Sequence, residues 1–164
     1  AALLLSVPAV VLRLIAFVDG HEGALVWSWI FTSAVLGVTM MRLLEEVFGP
    51  EPVTRDKLFG CATVYLLIGL LWCFLFAIIE EISPGSFSGL GTSRTVRVAD
   101  LAYFSFNLVT NVALTNAMPV SRTAQMVVLL QEFASVLYMA FVISRLVGMY
   151  APPARTPGPG RDQR

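Results

Sequence analysis

Residues 101–119 read Leu101-Ala102-Tyr103-Phe104-Ser105-Phe106-Asn107-Leu108-Val109, then Thr110-Asn111-Val112-Ala113-Leu114-Thr115-Asn116-Ala117-Met118-Pro119. The part up to Val109 is apolar and aromatic but too short to span a bilayer. A hydrocarbon core about 30 Å thick takes about 20 helical residues. A short apolar helix between two long apolar runs predicts a segment that enters the membrane and returns. Asp100 stands where it can cap that helix, and Pro119 suits the first turn of the next one. Residues 110–118 then form non-helical backbone at membrane depth, which is tolerated only inside protein or beside a water-filled cavity.

Outward from this stretch the chain is apolar. Of its 164 residues 57% are hydrophobic and 13% charged, with Lys+Arg 11 balancing Asp+Glu 11. Soluble domains carry about 25% charged residues. The composition excludes intrinsic disorder and an electrostatic nucleic-acid binder. Four runs reach crossing length: residues 3–18, interrupted by Pro8 and Arg13, then 25–44, 58–79 and 124–147. None alternates as a β-barrel strand must. The expected fold is therefore all-α and integral to the membrane. It has four transmembrane helices, with a re-entrant helix and loop between the third and fourth.

Positive charge orients such a chain. With both termini and the 45–57 linker inside, Arg42, Arg55, Lys57, Arg145, Arg155, Arg161 and Arg164 fall inside, against Arg94, Arg97 and Arg122 outside. This predicts an integral membrane protein with both termini cytoplasmic. Residues 1–57 form two helices and a linker, 58–150 a second unit, and 151–164 a flexible Pro/Gly-rich tail. The start of the chain lacks the basic region and cleavage site of a signal peptide.

The order of crossing, turret, short helix, loop and crossing resembles the pore module of small bacterial tetrameric potassium channels. Tyr103-Phe104-Ser105-Phe106 is similar to their aromatic pore helix. Thr110 then falls on the threonine approaching the filter, and Asn111-Val112-Ala113-Leu114-Thr115 on T-V-G-Y-G. Asn116 falls on the following Asp and Pro119 on the proline. The turret Ser83-Pro84-Gly85-Ser86-Phe87 and the last-helix ending from Leu137 to Gly148 also resemble that family. The first two runs match only as generic helices and lack a voltage sensor's spaced arginines.

The resemblance implies a tetramer that surrounds an ion path. The departures imply that the path is altered, because both filter glycines are replaced, by Ala113 and Thr115. The family's filter glycines take positive φ so that backbone carbonyls face the ion. That geometry costs other residues roughly 1–2 kcal/mol, or about 8–16 kcal/mol over two positions in four chains. The expectation is weak or non-selective conduction of monovalent cations past amides and hydroxyls, with no carboxylate ring and an apolar constriction at Leu114. The alternative is a non-conducting accessory subunit of a membrane assembly.

Other residues carry expectations of their own. Glu80 and Glu81 end the third run and suit either a cation-concentrating vestibule or plain interfacial charge. Gln131 falls where the family tends to carry glutamate. Glu132 is expected to hydrogen-bond the pore helix, with a place facing the cavity or near the interface as alternatives. Ser135 replaces an inner-helix glycine, which stiffens a hinge. Arg13 and Arg42 read as snorkelling or paired. Trp27, Trp29 and Trp72 read as membrane-belt or lipid-facing residues. Cys61 and Cys73 read as buried thiols. With a single histidine, His21, and scattered methionines, the sequence offers no catalytic set, metal site or cofactor motif.

Overall fold

The computed structural model describes residues 22–49, 55–112 and 114–149. The run at 3–18, Arg13, the loop around His21, Ala113 and the 151–164 tail lie outside the described residues. In order the elements are α1 (Glu22–Val47), α2 (Arg55–Ile82), β1 (Phe87–Ser88), α3 (Arg94–Thr110), β2 (Met118–Pro119) and α4 (Arg122–Met149).

Three stretches, Val26–Val47 in α1, Lys57–Ile82 in α2 and Arg122–Arg145 in α4, are long and apolar enough to cross a membrane. A chain with these three helices among its described residues is membrane-embedded, because a helix satisfies its backbone internally in lipid. α1 packs along α2, and α2 in turn carries α3 and α4.

The side chains at these contacts form two clusters. One gathers Trp29, Phe76, Phe87, Leu101, Phe104 and Val128. Its aromatic centre brings the Phe76 ring within 5.3 Å of Phe87 and 5.5 Å of Phe104. The other gathers Val64, Ile68, Val109 and Tyr138. There the Tyr65 hydroxyl donates to the Val109 carbonyl at 2.8 Å, and the Tyr138 hydroxyl to that of Cys61 at 2.7 Å. Trp29 is therefore a core residue and not a lipid-facing one, whereas Trp27 is exposed. Both cysteines are free thiols; Cys73 is buried and Cys61 half-buried.

α3 differs from the short helix expected at 101–109. It starts at Arg94 and runs 17 residues, about 25 Å, with Ser93 as its N-cap accepting from the Val96 N–H at 3.3 Å. Asp100 is inside the helix and caps nothing; its Oδ2 accepts from the Gly91 N–H at 2.8 Å. Pro119 does not open α4 either. It lies in β2, paired with Phe87 of β1. The cap of α4 is Ser121, whose Oγ accepts from the Ala124 N–H at 3.1 Å.

Candidate functional site

The segment after α3 doubles back along it. Asn111 ends the helix in the left-handed region, with φ 56 and ψ 33. Its N–H donates to the Leu108 carbonyl at 3.2 Å, and the Val112 N–H to that of Asn107 at 2.9 Å. This is a Schellman ending with asparagine where glycine is usual, and asparagine is among the few residues that visit that region routinely. Asn107 then holds the returning chain. Its Oδ1 accepts from the Leu114 N–H at 3.1 Å while its Nδ2 donates to the Tyr103 carbonyl at 2.7 Å. Further on, Thr115 and Asn116 line one pocket with Asp100 and Tyr103. The chain from 114 to 116 thus lies back alongside α3.

Its far end is fixed by close backbone approach. Gly89, at φ +75, lies so near the returning chain that a Cβ there would stand 2.1 Å from the Asn116 carbonyl oxygen. The β1–β2 pairing, Phe87 to Pro119 and Ser88 to Met118, closes the loop against the turret.

Asn111 is the one non-glycine residue of positive φ among the described residues. Thr115 is therefore not left-handed, and its Oγ1 accepts from the Ala117 N–H at 3.1 Å. Ala113 lies outside the described residues. The side chains of Thr110, Asn111, Val112, Leu114 and Asn116 are exposed, with Leu114 at 69%.

Behind the loop, a buried polar chain ties three helices together. The Ser105 Oγ in α3 donates to the Gly69 carbonyl in α2 at 2.8 Å. The Gln131 Nε2 in α4 donates to the Ser105 Oγ at 2.8 Å and to its carbonyl at 2.9 Å. The Ser135 Oγ donates to the Gln131 carbonyl at 2.8 Å. Gln131 and Ser105 are wholly buried and Ser135 nearly so. Gln131, and not Glu132, is thus the residue that hydrogen-bonds α3. The signal was present in the sequence. Ala124, Val128, Gln131, Ser135 and Tyr138 form the buried seam of α4, a heptad-spaced line with small and polar members that suits close helix packing in a membrane.

Of the aromatic residues of α3, Phe104 is in the core and Tyr103 is half exposed. Phe106 packs over Gly69, where a Cβ would stand 2.6 Å from its ring. Glu132 is exposed and lines a cleft with Asn107, Leu108, Asn111 and Val112. A second cleft places it beside Thr115 and Met118. Glu80 and Glu81 are engaged in the turret. The Glu80 carboxylate accepts from the Gly85 and Phe87 N–H groups at 2.8 and 2.9 Å, and Glu81 pairs with Arg94. Arg42 pairs with Glu45 at 3.4 Å on the surface. The Arg145 guanidinium donates to the Gly49 carbonyl and lies 5.8 Å from the Phe48 ring centre. Among the described residues no group of His, Cys, Asp and Glu gathers as a metal site.

Comparison with protein-family models, curated proteins and solved structures finds no match for this chain.

Proposed function

We propose that this chain is a channel-like integral membrane protein that assembles as a homotetramer around the loop following α3. In this reading it passes monovalent cations weakly or without potassium selectivity. It sits in a bacterial inner membrane with both termini cytoplasmic, as the arginine balance favours. The run at 3–18 is a fourth crossing, and α3 with its loop is re-entrant between the last two.

One observation carries the reading. A 17-residue helix that carries Arg94, Arg97 and Asp100 is followed by non-helical chain folded back along it, between two helices long and apolar enough to span, α2 and α4. Irregular backbone so placed needs either water or further protein beside it. Thr110, Asn111 and Asn116 are exposed, and copies meeting around one axis would give them a common aqueous path. Thr115 outside the left-handed region speaks against carbonyl-only coordination of a bare ion.

A second reading is favoured by Leu114, 69% exposed on the same loop. Four leucines at an axis make an apolar constriction that sheds water. The chain would then be a non-conducting accessory subunit. Native mass measurement and cation flux from liposomes loaded in turn with potassium, sodium and caesium separate the readings. A tetramer that leaks supports the first, and a silent assembly supports the second. A monomer refutes the pore reading.

A further inference from the structure

We infer that the run at 3–18 docks as an antiparallel helix on the outward stripe of α1 formed by Trp27, Ile30, Ala34, Gly37 and Met41. The inference rests on one part of the proposed function, that this run crosses the membrane, and on neither the pore nor the tetramer.

The stripe is the first observation. α1 packs along α2, and Trp29, Ser33 and Val47 are buried. On the other side of the helix Trp27, Ile30, Ala34 and Met41 are exposed. With Gly37 they recur at steps of three, four, three and four residues, which draws one line along a helix. Gly37 is the informative member. A Cβ there would meet nothing within 4 Å, so no contact among the described residues calls for glycine. Glycine weakens a helix interior relative to alanine. Lipid returns nothing for the missing methyl, whereas a second helix does, because small residues let two backbones approach closely.

The length of chain before α1 selects the occupant. The run at 3–18 lies outside the described residues. It ends at Val18, and α1 starts at Glu22, so only Asp19, Gly20 and His21 stand between them. Connections this short join antiparallel neighbouring helices. A crossing at 3–18 therefore returns alongside α1, and α2 already holds one side of α1. The short tether also favours this segment over any separate chain.

Register supplies the third observation. Placing Val18 opposite Glu22 sets Leu3, Ser6, Val10 and Arg13 level with Gly37, Ala34, Ile30 and Trp27. Those four residues of the run are themselves spaced three, four and three apart. The bulky Leu3 meets the glycine notch. Arg13 is the one charged residue of the run, and a charge within a crossing is costly without a partner. Here it comes level with the exposed indole of Trp27, whose ring face attracts a guanidinium. Pro8, which lacks an N–H, falls on the opposite side of the run from this line.

The test is disulfide trapping in the full chain in proteoliposomes. Val10→Cys is combined with Ile30→Cys on the stripe, or with Phe31→Cys beside it. Each single substitution controls for the native Cys61 and Cys73. After oxidation by copper phenanthroline, mass spectrometry of the unreduced digest is expected to show a bridge within one chain for the Ile30 pair and its loss for the Phe31 pair. A bridge between two chains gives the stripe to a second copy and overturns the inference. No bridge leaves the stripe to lipid and overturns it too. Thermal unfolding gives an independent reading. Gly37→Ala should lower the melting temperature, with relief by Leu3→Ala. A rise in melting temperature, as expected of a better helix former facing lipid, refutes the notch. The crossing is read separately with an impermeant maleimide on Ala2→Cys and Gly20→Cys. Labelling from opposite sides without the bridge sinks the docking and leaves the crossing. Labelling from one side sinks the crossing and the docking with it.

Discussion

Replacing Gln131 tests whether its two hydrogen bonds or its buried volume matter more. The side chain is wholly buried. The amide orientation is fixed, because only the nitrogen can donate to the Ser105 carbonyl, 2.9 Å away. The Oε1 is thereby left buried with no donor among the described residues. Hydrogen bonds between membrane helices average about 0.6 kcal/mol each, so losing both costs about 1.2 kcal/mol. Removing a buried carbonyl oxygen that lacks a donor returns about 1–3 kcal/mol. Gln131→Leu keeps nearly all the volume, so its net effect is near zero or slightly stabilising. Gln131→Ala makes the same polar changes and also vacates about 55 Å³, worth about 1.3 kcal/mol at about 24 cal/mol per Å³. Alanine should therefore be about 1 kcal/mol or more less stable than leucine. Reversible unfolding in mixed micelles, followed by circular dichroism, measures the difference. Leucine less stable than alanine would refute the reasoning and show that the bond to Ser105 outweighs the buried volume. A Gln131/Ser105 double-mutant cycle then measures that bond directly, with a coupling of about 1 kcal/mol expected.

Gly69→Ala places a methyl 2.6 Å from the Phe106 ring. Overpacking there is expected to cost about 1–3 kcal/mol in the same unfolding assay, with partial rescue by Phe106→Leu. Gly89→Ala meets the Asn116 carbonyl at 2.1 Å and is strained at φ +75. It should open the β1–β2 pairing, seen as faster hydrogen exchange at the Val120 amide, which donates to the Ser86 carbonyl at 2.8 Å. Glu80→Ala removes the acceptor of two backbone N–H groups and should cost about 1–3 kcal/mol at any salt concentration. Glu81→Ala breaks only a partly exposed pair with Arg94. Its cost should stay below about 1 kcal/mol and fall as salt is added.

The three spans were legible because a bilayer imposes one length and one polarity on whatever crosses it. The start of α3 was not. Residues 94–100, Arg-Thr-Val-Arg-Val-Ala-Asp, carry three charges and β-branched side chains. Apolar length is silent about helix turns at an interface, and the one local sign was Ser93 as N-cap. Asp100 and Pro119 each suit a helix start, yet tertiary contacts claim them, the Gly91 N–H for one and β1 for the other. Asn111 aligned with a filter position, but its tolerance of the left-handed region makes it the residue that ends α3.

In a helix that is apolar all round, large apolar residues carry no directional information, since lipid and core accept them alike. Met126, Leu129, Leu130, Phe133 and Phe141 of α4 are all exposed, and by residue type they match its core. Direction is carried instead by the residues that lipid rejects. Gln131 and Ser135 fall on one line with Ala124 and Tyr138, and that line is the seam against α2 and α3. Glu132 is a single residue beyond Gln131, turned about 100° around the axis, and it faces neither the seam nor a partner among the described residues. Two adjacent polar residues at one depth thus mark two different boundaries. The first is the one the chain makes with itself. The second is marked by a carboxylate that the chain leaves exposed on the same helix.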